Sequence, residues 1–142
     1  MKLEDLKKPF DTALISWRVG ATNVKSDGTL KWGDDPMGIP LAYIDARDVM
    51  ERLDKVCGLG GWQNRYPFKG CCDIGIIDEG EWVWKSNGAG ETQVEADKGQ
   101  YSDALKRAAV VWGVGRYLYD VDNFWVNLKK QGRSYIVDNP NN

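Results

Sequence analysis

The stretch from Asp103 to Tyr119 carries the side chains best suited to bind an anion. At about 100° per residue, Lys106 and Arg107 fall together on one side of a predicted helix, flanking Val110. The opposite side is apolar at helical spacing, which predicts that it faces a core. The members of this apolar stripe are Tyr101, Ala104, Leu105, Ala108 and Trp112. Two cations presented together on a rigid element suit phosphate, and Arg116 adds a third cation nearby.

Positive charge is concentrated in the same part of the chain. The 142 residues carry a formal net charge of −2. Between Gly99 and Arg133, however, six Lys or Arg stand against three Asp, whereas the remainder holds 13 basic and 18 acidic residues. This segregation is weak support for a nucleic-acid partner, because a run of charge is often only a solvated surface.

Covalent and metal chemistry have little support in the sequence. The chain lacks histidine, the commonest general base and metal ligand, and its three cysteines form no Cys-x-x-Cys motif. A phosphate-binding loop of the form G-x-x-x-x-G-K-[ST] is also missing. We therefore predict no enzyme activity, no cofactor and no metal site. One alternative stays open: a small Mg²⁺-dependent hydrolase or nuclease that uses Asp73 and Glu81, with Glu91 and Asp97 as further acids.

Seven tryptophans form the other candidate set. An exposed indole can stack on a base, whereas a buried one is part of the core or of a subunit interface. Trp82 and Trp84 share one face of a predicted strand, and Trp62 and Trp112 occupy core-like positions. Trp32 is the best exposed candidate, since Lys31 flanks it in a predicted loop. A second alternative is therefore a Trp-rich carbohydrate- or protein-binding module without nucleic-acid activity.

The sequence also indicates a cellular compartment. No apolar run approaches the roughly 20 residues that cross a bilayer, and the first residues lack the apolar core of a signal peptide. Cys71 and Cys72 are adjacent and Cys57 stands alone, so no disulfide framework is visible. We expect a cytoplasmic protein with reduced, buried thiols and no membrane partner.

Glycines, prolines and apolar periodicity predict one α+β domain over residues 1–142, without βαβ alternation. One helix is predicted at Tyr43–Cys57, ended by Gly58, and the helix of Asp103–Tyr119 is expected to falter at Gly113 or Gly115. Segment 20–40 is predicted to be a protruding hairpin loop that turns at Asp27-Gly28. The predicted strands are residues 14–19, 62–68, 71–77, 81–86 and 134–137, with a tight turn at 78–80, a loop at 86–90, an amphipathic start at 1–11 and a frayed tail at 138–142.

Four segments, taken in order, resemble the single-strand annealing proteins of the Rad-fifty-two superfamily, especially its phage Sak-type members. The resemblance covers roughly Ile15 to Asp120, and the ordered set is more specific than any one segment. The segments are Trp17-Arg18-Val19-Gly20, Ala42-Tyr43-Ile44-Asp45-Ala46-Arg47-Asp48-Val49, Gly61-Trp62, and Ser102-Asp103-Ala104-Leu105-Lys106-Arg107-Ala108 followed by Trp112-Gly113.

The resemblance implies a β-β-β-α core, with an antiparallel sheet packed against a long helix, and copies assembled into an oligomeric ring. Residues 1–11 are expected to serve as the oligomerisation segment. The implied activity is ATP-independent binding of single-stranded DNA and annealing of complementary strands in homologous recombination and repair. A phage-encoded protein of this kind would work in the bacterial host cytoplasm with a phage exonuclease and the host single-strand-binding protein.

Carried over residue by residue, the resemblance implies DNA contacts from Arg18, Tyr43, Lys106 and Arg107. Tyr43 matches the tyrosine that opens the first helix, and Arg18 matches an arginine at the end of a strand. The chain ends soon after the annealing core, so no recombinase-recruiting tail is expected.

Two features depart from the family pattern. Eukaryotic members have a further basic residue where this chain has Val110. Two alternatives follow: either the groove is less charged here, or Arg116, Lys129 and Lys130 compensate. Segment 20–40 is longer than in many relatives, so Lys25 and Lys31, together with Trp32, are expected to form a second, outer DNA contact.

Overall fold

A computed structural model describes residues 2–88 and 99–138 of the chain. The chain forms two compact units. The first unit comprises Met1–Pro9 and Ile44–Tyr117, and the second comprises Phe10–Tyr43 and Leu118–Asn142. The elements in chain order are β1 (Ser16–Thr22), β2 (Met37–Tyr43), α1 (Ala46–Cys57), β3 (Trp62–Arg65), β4 (Cys71–Asp78), β5 (Glu81–Gly88), α2 (Gln100–Val111), β6 (Val126–Gln131) and β7 (Ser134–Val137).

The first unit is built on a three-stranded antiparallel sheet in the order β3-β4-β5, followed by α2. This is the β-β-β-α order that the family resemblance implies. Apolar side chains alternate along β4, and Cys72, Ile74 and Ile76 are fully buried because they share the face that α2 covers. The turn between β4 and β5 pairs Asp78 with Glu81 as predicted. Residues 86–88, predicted as a loop, instead continue β5, because Ser86, Asn87 and Gly88 stay in register with β4.

Helix α2 confirms the predicted amphipathic pattern but is 12 residues long. Ala104, Leu105, Ala108 and Trp112 are buried. The sequence places Tyr101 in the same stripe, yet its side chain is 57% exposed. It packs edge-on against the Tyr66 ring, with centroids 4.8 Å apart, so it lies at the border of the core.

The end of α2 lies where the glycines predict it. The helix ends at Val111, and Gly113 and Gly115 have φ of 102° and 73°, a region that L side chains rarely adopt. A 3₁₀ turn follows at Arg116–Asp120. The predicted helix over Asp103–Tyr119 is therefore one α-helix that starts earlier, at Gln100, and a separate short turn.

The chain start packs inside the first unit. Leu3–Lys7 forms a 3₁₀ helix in which Leu6 is fully buried. Arg52 of α1 donates from Nη1 to the main-chain carbonyls of Leu6 and Lys8, at 3.3 and 2.6 Å. The apolar spacing of residues 1–11 thus serves this chain's own core, and an oligomerisation role for the segment stays a prediction.

The second unit is a four-stranded antiparallel sheet in the order β1-β2-β6-β7. Ser16 pairs with Tyr43 and Val19 with Pro40, and a register shift follows between Val19 and Thr22. β2 and β6 pair only through Met37–Gly38. The β6–β7 hairpin confirms the predicted strand at residues 134–137 and adds β6, which no local sequence pattern predicts.

Two sequence predictions about this unit are wrong. Tyr43 ends β2 and does not open a helix, since α1 begins at Ala46. Residues 37–43, of which 37–40 are predicted to belong to a protruding loop, form β2. The prediction misses this strand because Pro40 is unusual inside a strand. Pro40 is tolerated because it lies in the part of β2 that pairs with β1 and not with β6. The predicted turn at Asp27-Gly28 does form, closed by the bridge between Val24 and Leu30.

In the described part of the chain, no helix combines the length and apolar character needed to cross a membrane. Most of the predicted tail, residues 139–142, lies outside the described residues.

Candidate functional site

Two of the four predicted DNA-contacting residues come together on one face of the second unit's sheet. Arg18 stands opposite Leu41 and Tyr43 stands opposite Ser16 in the β1–β2 ladder. Because cross-strand partners share a face, Arg18 and Tyr43 are diagonal neighbours on it. Arg18 is exposed and Tyr43 is half-buried. The pair therefore offers a guanidinium at the surface beside an aromatic ring.

The same two residues line an open pocket of about 330 Å³. The residues around it include three aromatics, one cation and one amide, and the rest are aliphatic. The lining residues are Trp17, Arg18, Val19, Tyr43, Gln131, Tyr135, Ile136 and Val137. Gln131 and Tyr135 are not identifiable from the sequence. Their position depends on strand pairing between distant segments, which leaves no local pattern.

Lys106 and Arg107 lie side by side on α2, in the first unit. Arg107 is exposed and Lys106 is half-buried, so both avoid the buried face of the helix as predicted. The Nε of Arg107 lies 3.4 Å from Oδ2 of Asp103, one turn earlier on the helix. Such an exposed pair is worth only about 0.3–0.5 kcal/mol, so it leaves the guanidinium able to exchange its partner for a phosphate.

Arg116, another predicted DNA contact, caps the end of α2. Its Nε and Nη2 donate to the main-chain carbonyls of Val110 and Val111, at 3.0 and 2.7 Å. These carbonyls belong to the last turn of the helix, where a cation also interacts favourably with the helix dipole. The structure therefore gives Arg116 a structural task that the sequence alone does not reveal.

The predicted outer contact residues belong to one loop of the second unit. Lys25, Lys31 and Trp32 are all exposed, and Trp32 retains 45% of its accessible surface. Trp32 lies edge-on to Trp125, with ring centroids 4.9 Å apart. Trp125 is itself 42% exposed, and no sequence signal distinguishes it from the other tryptophans. Two half-exposed indoles in contact form a surface that can bind a flat ligand.

Asn23 organises this loop from inside. Its side chain is fully buried. The amide nitrogen donates to the carbonyls of Trp32 and Asp35, both at 2.9 Å, and the amide oxygen accepts from the Met37 amide at 2.8 Å. The loop nevertheless carries exposed Asp27, Asp34 and Asp35 beside its two lysines, so its local charge favours a phosphate less than the α2 pair does.

The carboxylate considered for a nuclease is engaged in a structural network. Asp73 of β4 is 7% exposed; its Oδ1 accepts from the Ser86 hydroxyl at 2.5 Å, and its Oδ2 accepts from Arg65 Nε at 2.9 Å. These two bonds, the Ser86 bond first, lower the pKa of Asp73 below its ordinary value of 3.8. The described residues contain no group of three or more His, Cys, Asp or Glu placed to hold a metal ion. Glu91 and Asp97 lie outside the described residues.

Arg65 is held in place from two directions. Besides its bond to Asp73, its guanidinium carbon lies 4.0 Å from the centroid of the Trp84 ring, a cation–π contact. The Trp84 ring in turn lies directly over Gly75, where a Cβ would come within 2.9 Å of the indole. Trp82 and Trp84 share this sheet face, with centroids 6.3 Å apart, as the strand periodicity predicts.

The described cysteines are free thiols. Cys57 and Cys72 are buried, as expected, and Cys71 is half-buried. Burial raises the pKa of Cys72 to about 11, so this thiol stays protonated and unreactive near neutral pH.

Comparisons with known proteins agree with the sequence resemblance. The model of the Rad52/22 family, described as double-strand break repair proteins, matches residues 2–69 and 69–135. The single-stranded DNA-binding protein DdrA of Deinococcus radiodurans is 32% identical over 99% of this chain. Its counterpart of the same name in Deinococcus deserti is 36% identical over 89% of this chain.

The chain spans 68% and 62% of the lengths of these two relatives. No solved structure matches the chain. The family model extends over both units, including β1 with Arg18 and α2 with the Lys106–Arg107 pair. This chain is therefore a member of the Rad52/22 family.

Proposed function

We propose that this protein binds single-stranded DNA without sequence preference and anneals complementary strands during recombination and repair, without ATP. One observation carries the proposal. Arg18 and Tyr43, chosen by family resemblance and 25 positions apart in the sequence, are diagonal neighbours that line one pocket. The names of the two Deinococcus relatives, single-stranded DNA-binding proteins, support the same ligand.

The cations supply the binding. Arg107 on α2 and Arg18 on β1 are exposed and Lys106 is half-buried beside Arg107. In this proposal the three cations bind backbone phosphates. Phosphate contacts release condensed counterions and carry no sequence information, so this binding weakens steeply with salt. A strand held in an extended form loses less entropy when it meets its complement, because part of that entropy has already been lost on binding.

The low charge of the chain makes repetition of the site part of the proposal. A protomer with net charge −2 presents few cations, and Val110 occupies the place of a further cation on α2. We therefore propose an oligomeric ring in which many modest sites bind one strand together. We further propose that the protein is phage-encoded and acts in the host cytoplasm. There it would work with an exonuclease and the host single-strand-binding protein.

The alternative is a Trp-rich module that binds carbohydrate or protein. The contact between the half-exposed Trp32 and Trp125 favours it, because paired indoles can stack on a sugar or an apolar side chain. Binding of this kind depends on apolar area, so its affinity does not change with salt. Replacing the charges of Lys106 and Arg107 on α2 would not change that affinity either.

The deciding experiment is annealing of complementary oligonucleotides without nucleotide, across a salt series, with Lys106→Ala plus Arg107→Ala. We expect weaker binding, slower annealing and a slope of log Kd against log salt reduced by about 1.4, since each lost contact to single strands accounts for about 0.7. Lys2→Ala plus Lys55→Ala, which removes two exposed cations outside α2, is the matched control. This variant should keep the wild-type affinity, annealing rate and salt slope.

Unchanged affinity and annealing rate in the α2 variant at low salt would show that this pair does not bind DNA. Salt-insensitive binding of a glycan or peptide, with no binding of DNA, would favour the alternative module. Light scattering at micromolar concentration tests the ring separately, and a monomer with and without DNA would contradict it.

A further inference from the structure

The pocket beside Arg18 lies where the two edges of the second unit's sheet approach each other. β1 and β7 are the end strands of the order β1-β2-β6-β7, yet β7 also lies alongside β1, with Cα atoms within 8 Å. No ladder joins these two strands, both of which are fully described. The sheet thus curls until its edges nearly meet, and the opening between them is the pocket of about 330 Å³.

The lining residues of the pocket differ in exposure and in chemical character. Val137 is 8% exposed and forms an apolar floor. Tyr43 and Tyr135 are half-buried and line the pocket as aromatic walls, whereas Trp17, also half-buried and in the lining, pairs with Ala42 and lies on the opposite sheet face from Tyr43. Arg18 and Gln131 are exposed and occupy the rim. An apolar floor with aromatic walls suits a flat ring, and the amide and the guanidinium at the rim can bond to polar atoms on its edge.

This combination fits a nucleobase better than a phosphate or a protein side chain. Aromatic rings bind unpaired bases by stacking, and amide side chains bond to base edges. A phosphate site needs several converging donors, whereas Arg18 is the one charged residue among those that line this pocket. The volume lies at the low end of the roughly 300–1,000 Å³ that small-ligand pockets occupy, which suits one base and excludes a run of them.

We propose that each chain holds one nucleobase of the bound single strand in this pocket, between Tyr135 of β7 and Tyr43 of β2, with Gln131 at the rim on its edge and Arg18 on the adjoining phosphate. The inference rests on the proposed function, since it takes the bound strand as given, and deepens it by assigning base contacts to the β6–β7 hairpin. A base in the pocket is withheld from pairing, so the pocket contributes affinity while the other bases remain available.

The test compares normal and abasic DNA. Fluorescence anisotropy with a labelled oligo(dT), and with an oligomer of equal length made of abasic sugars, gives the Kd of the wild-type protein, Tyr135→Ala and Gln131→Ala. Loss of one stacked base should weaken binding of oligo(dT) by roughly 5- to 100-fold in Tyr135→Ala. The same substitution should leave binding to the abasic oligomer unchanged, because the backbone contacts persist. Tyr135→Phe should retain the ring and the affinity.

The salt slope separates this proposal from the one on which it rests. Tyr135→Ala should keep the wild-type slope of log Kd against log salt, because stacking releases no counterions, whereas the α2 double variant should reduce it. Tyr119→Ala, which removes another tyrosine of the second unit that is 70% exposed, is the control and should bind both oligomers as wild type does.

Three results would overturn the pocket assignment. One is an equal loss in Tyr135→Ala on normal and abasic DNA, which would mean a backbone contact or a damaged fold. Another is an equal loss in Tyr119→Ala. If Tyr135→Ala does not fold, Gln131→Ala at the exposed rim decides alone, and a Kd for oligo(dT) equal to that of wild type would reject the pocket. Absence of all DNA binding by wild type would reject the proposed function as well.

Discussion

The indole Nε1 of Trp112 donates a hydrogen bond of 3.0 Å to the main-chain carbonyl of Ile74, and both groups are buried. The bond ties the residue that follows α2 to the middle of β4. The Nζ atom of Lys85 on β5 lies 4.5 Å from the centroid of the Trp112 ring. One side chain thus joins the helix carrying the Lys106–Arg107 pair to the sheet beneath it.

Replacing this indole tests its part in stability. Trp112→Phe should lower the free energy of unfolding by about 2 kcal/mol, because it deletes the buried bond and leaves unfilled space beside Ile74. Urea unfolding followed by circular dichroism measures the change. Trp125→Phe, at a half-exposed site, is the control and should cost less than half as much. Equal costs in the two variants would contradict a special role for the Trp112 bond.

Removing the buried amide of Asn23 should destabilise the second unit. In Asn23→Ala the carbonyls of Trp32 and Asp35 and the amide of Met37 lose their partner, at about 1–3 kcal/mol for a group left unsatisfied. We expect a total loss of at least about 2 kcal/mol in urea unfolding. Thr29→Ala, which removes the exposed bond from the Thr29 hydroxyl to Asp27 in the same loop, should stay within about 0.5 kcal/mol. A similarly small effect of Asn23→Ala would show that water replaces the amide.

Arg116 allows a choice between capping a helix and binding DNA. Arg116→Ala should lower unfolding free energy by about 1 kcal/mol, because the last carbonyls of α2 lose two donors and a favourable charge. The Kd for oligo(dT) and its salt slope should stay unchanged. Urea unfolding and anisotropy on one preparation give both quantities. Wild-type stability with a reduced salt slope would instead support the DNA contact predicted from the sequence.

Stability should depend on pH through Asp73. Because the folded pKa of Asp73 lies below 3.8, its contribution is present above that value and is lost as pH falls through the folded pKa. Ser86→Ala removes the bond that contributes most to this lowered pKa, so it should cost about 1.5 kcal/mol at pH 6 and progressively less below pH 3.8. Ser26→Ala, at an exposed site, should cost little at either pH. A Ser86→Ala cost that does not change with pH would contradict this account.

Local patterns in the sequence predicted much of the first unit. The spacing of Ala104, Leu105 and Ala108 fixes the buried face of α2, and glycines at 113 and 115 end it. The turn at residues 78–80 also follows from local chemistry, since Glu79 and Gly80 take the positive φ values that a two-residue hairpin turn requires.

The second unit was less predictable because its order depends on distant pairing. Pro40 makes the sequence of β2 resemble a loop. No residue pattern near Val126 predicts the pairing of Val126 with Gly38. Gln131 and Tyr135 line the pocket only because β6 and β7 pair in this way. Asn23 likewise resembles an ordinary loop residue until its three partners are seen.

The division of the chain into segments also determines the order in which a ribosome delivers it. Residues 10–43 emerge early, but their partners in the second unit, residues 118–142, emerge after all of residues 44–117. During translation β2 can pair with β1, but its other edge stays uncovered until β6 is synthesised. Every strand of the first unit can already pair by then. An uncovered strand edge is a site of misassembly. Nascent chains are thus most exposed to wrong pairing in the interval before the β6–β7 hairpin leaves the exit tunnel.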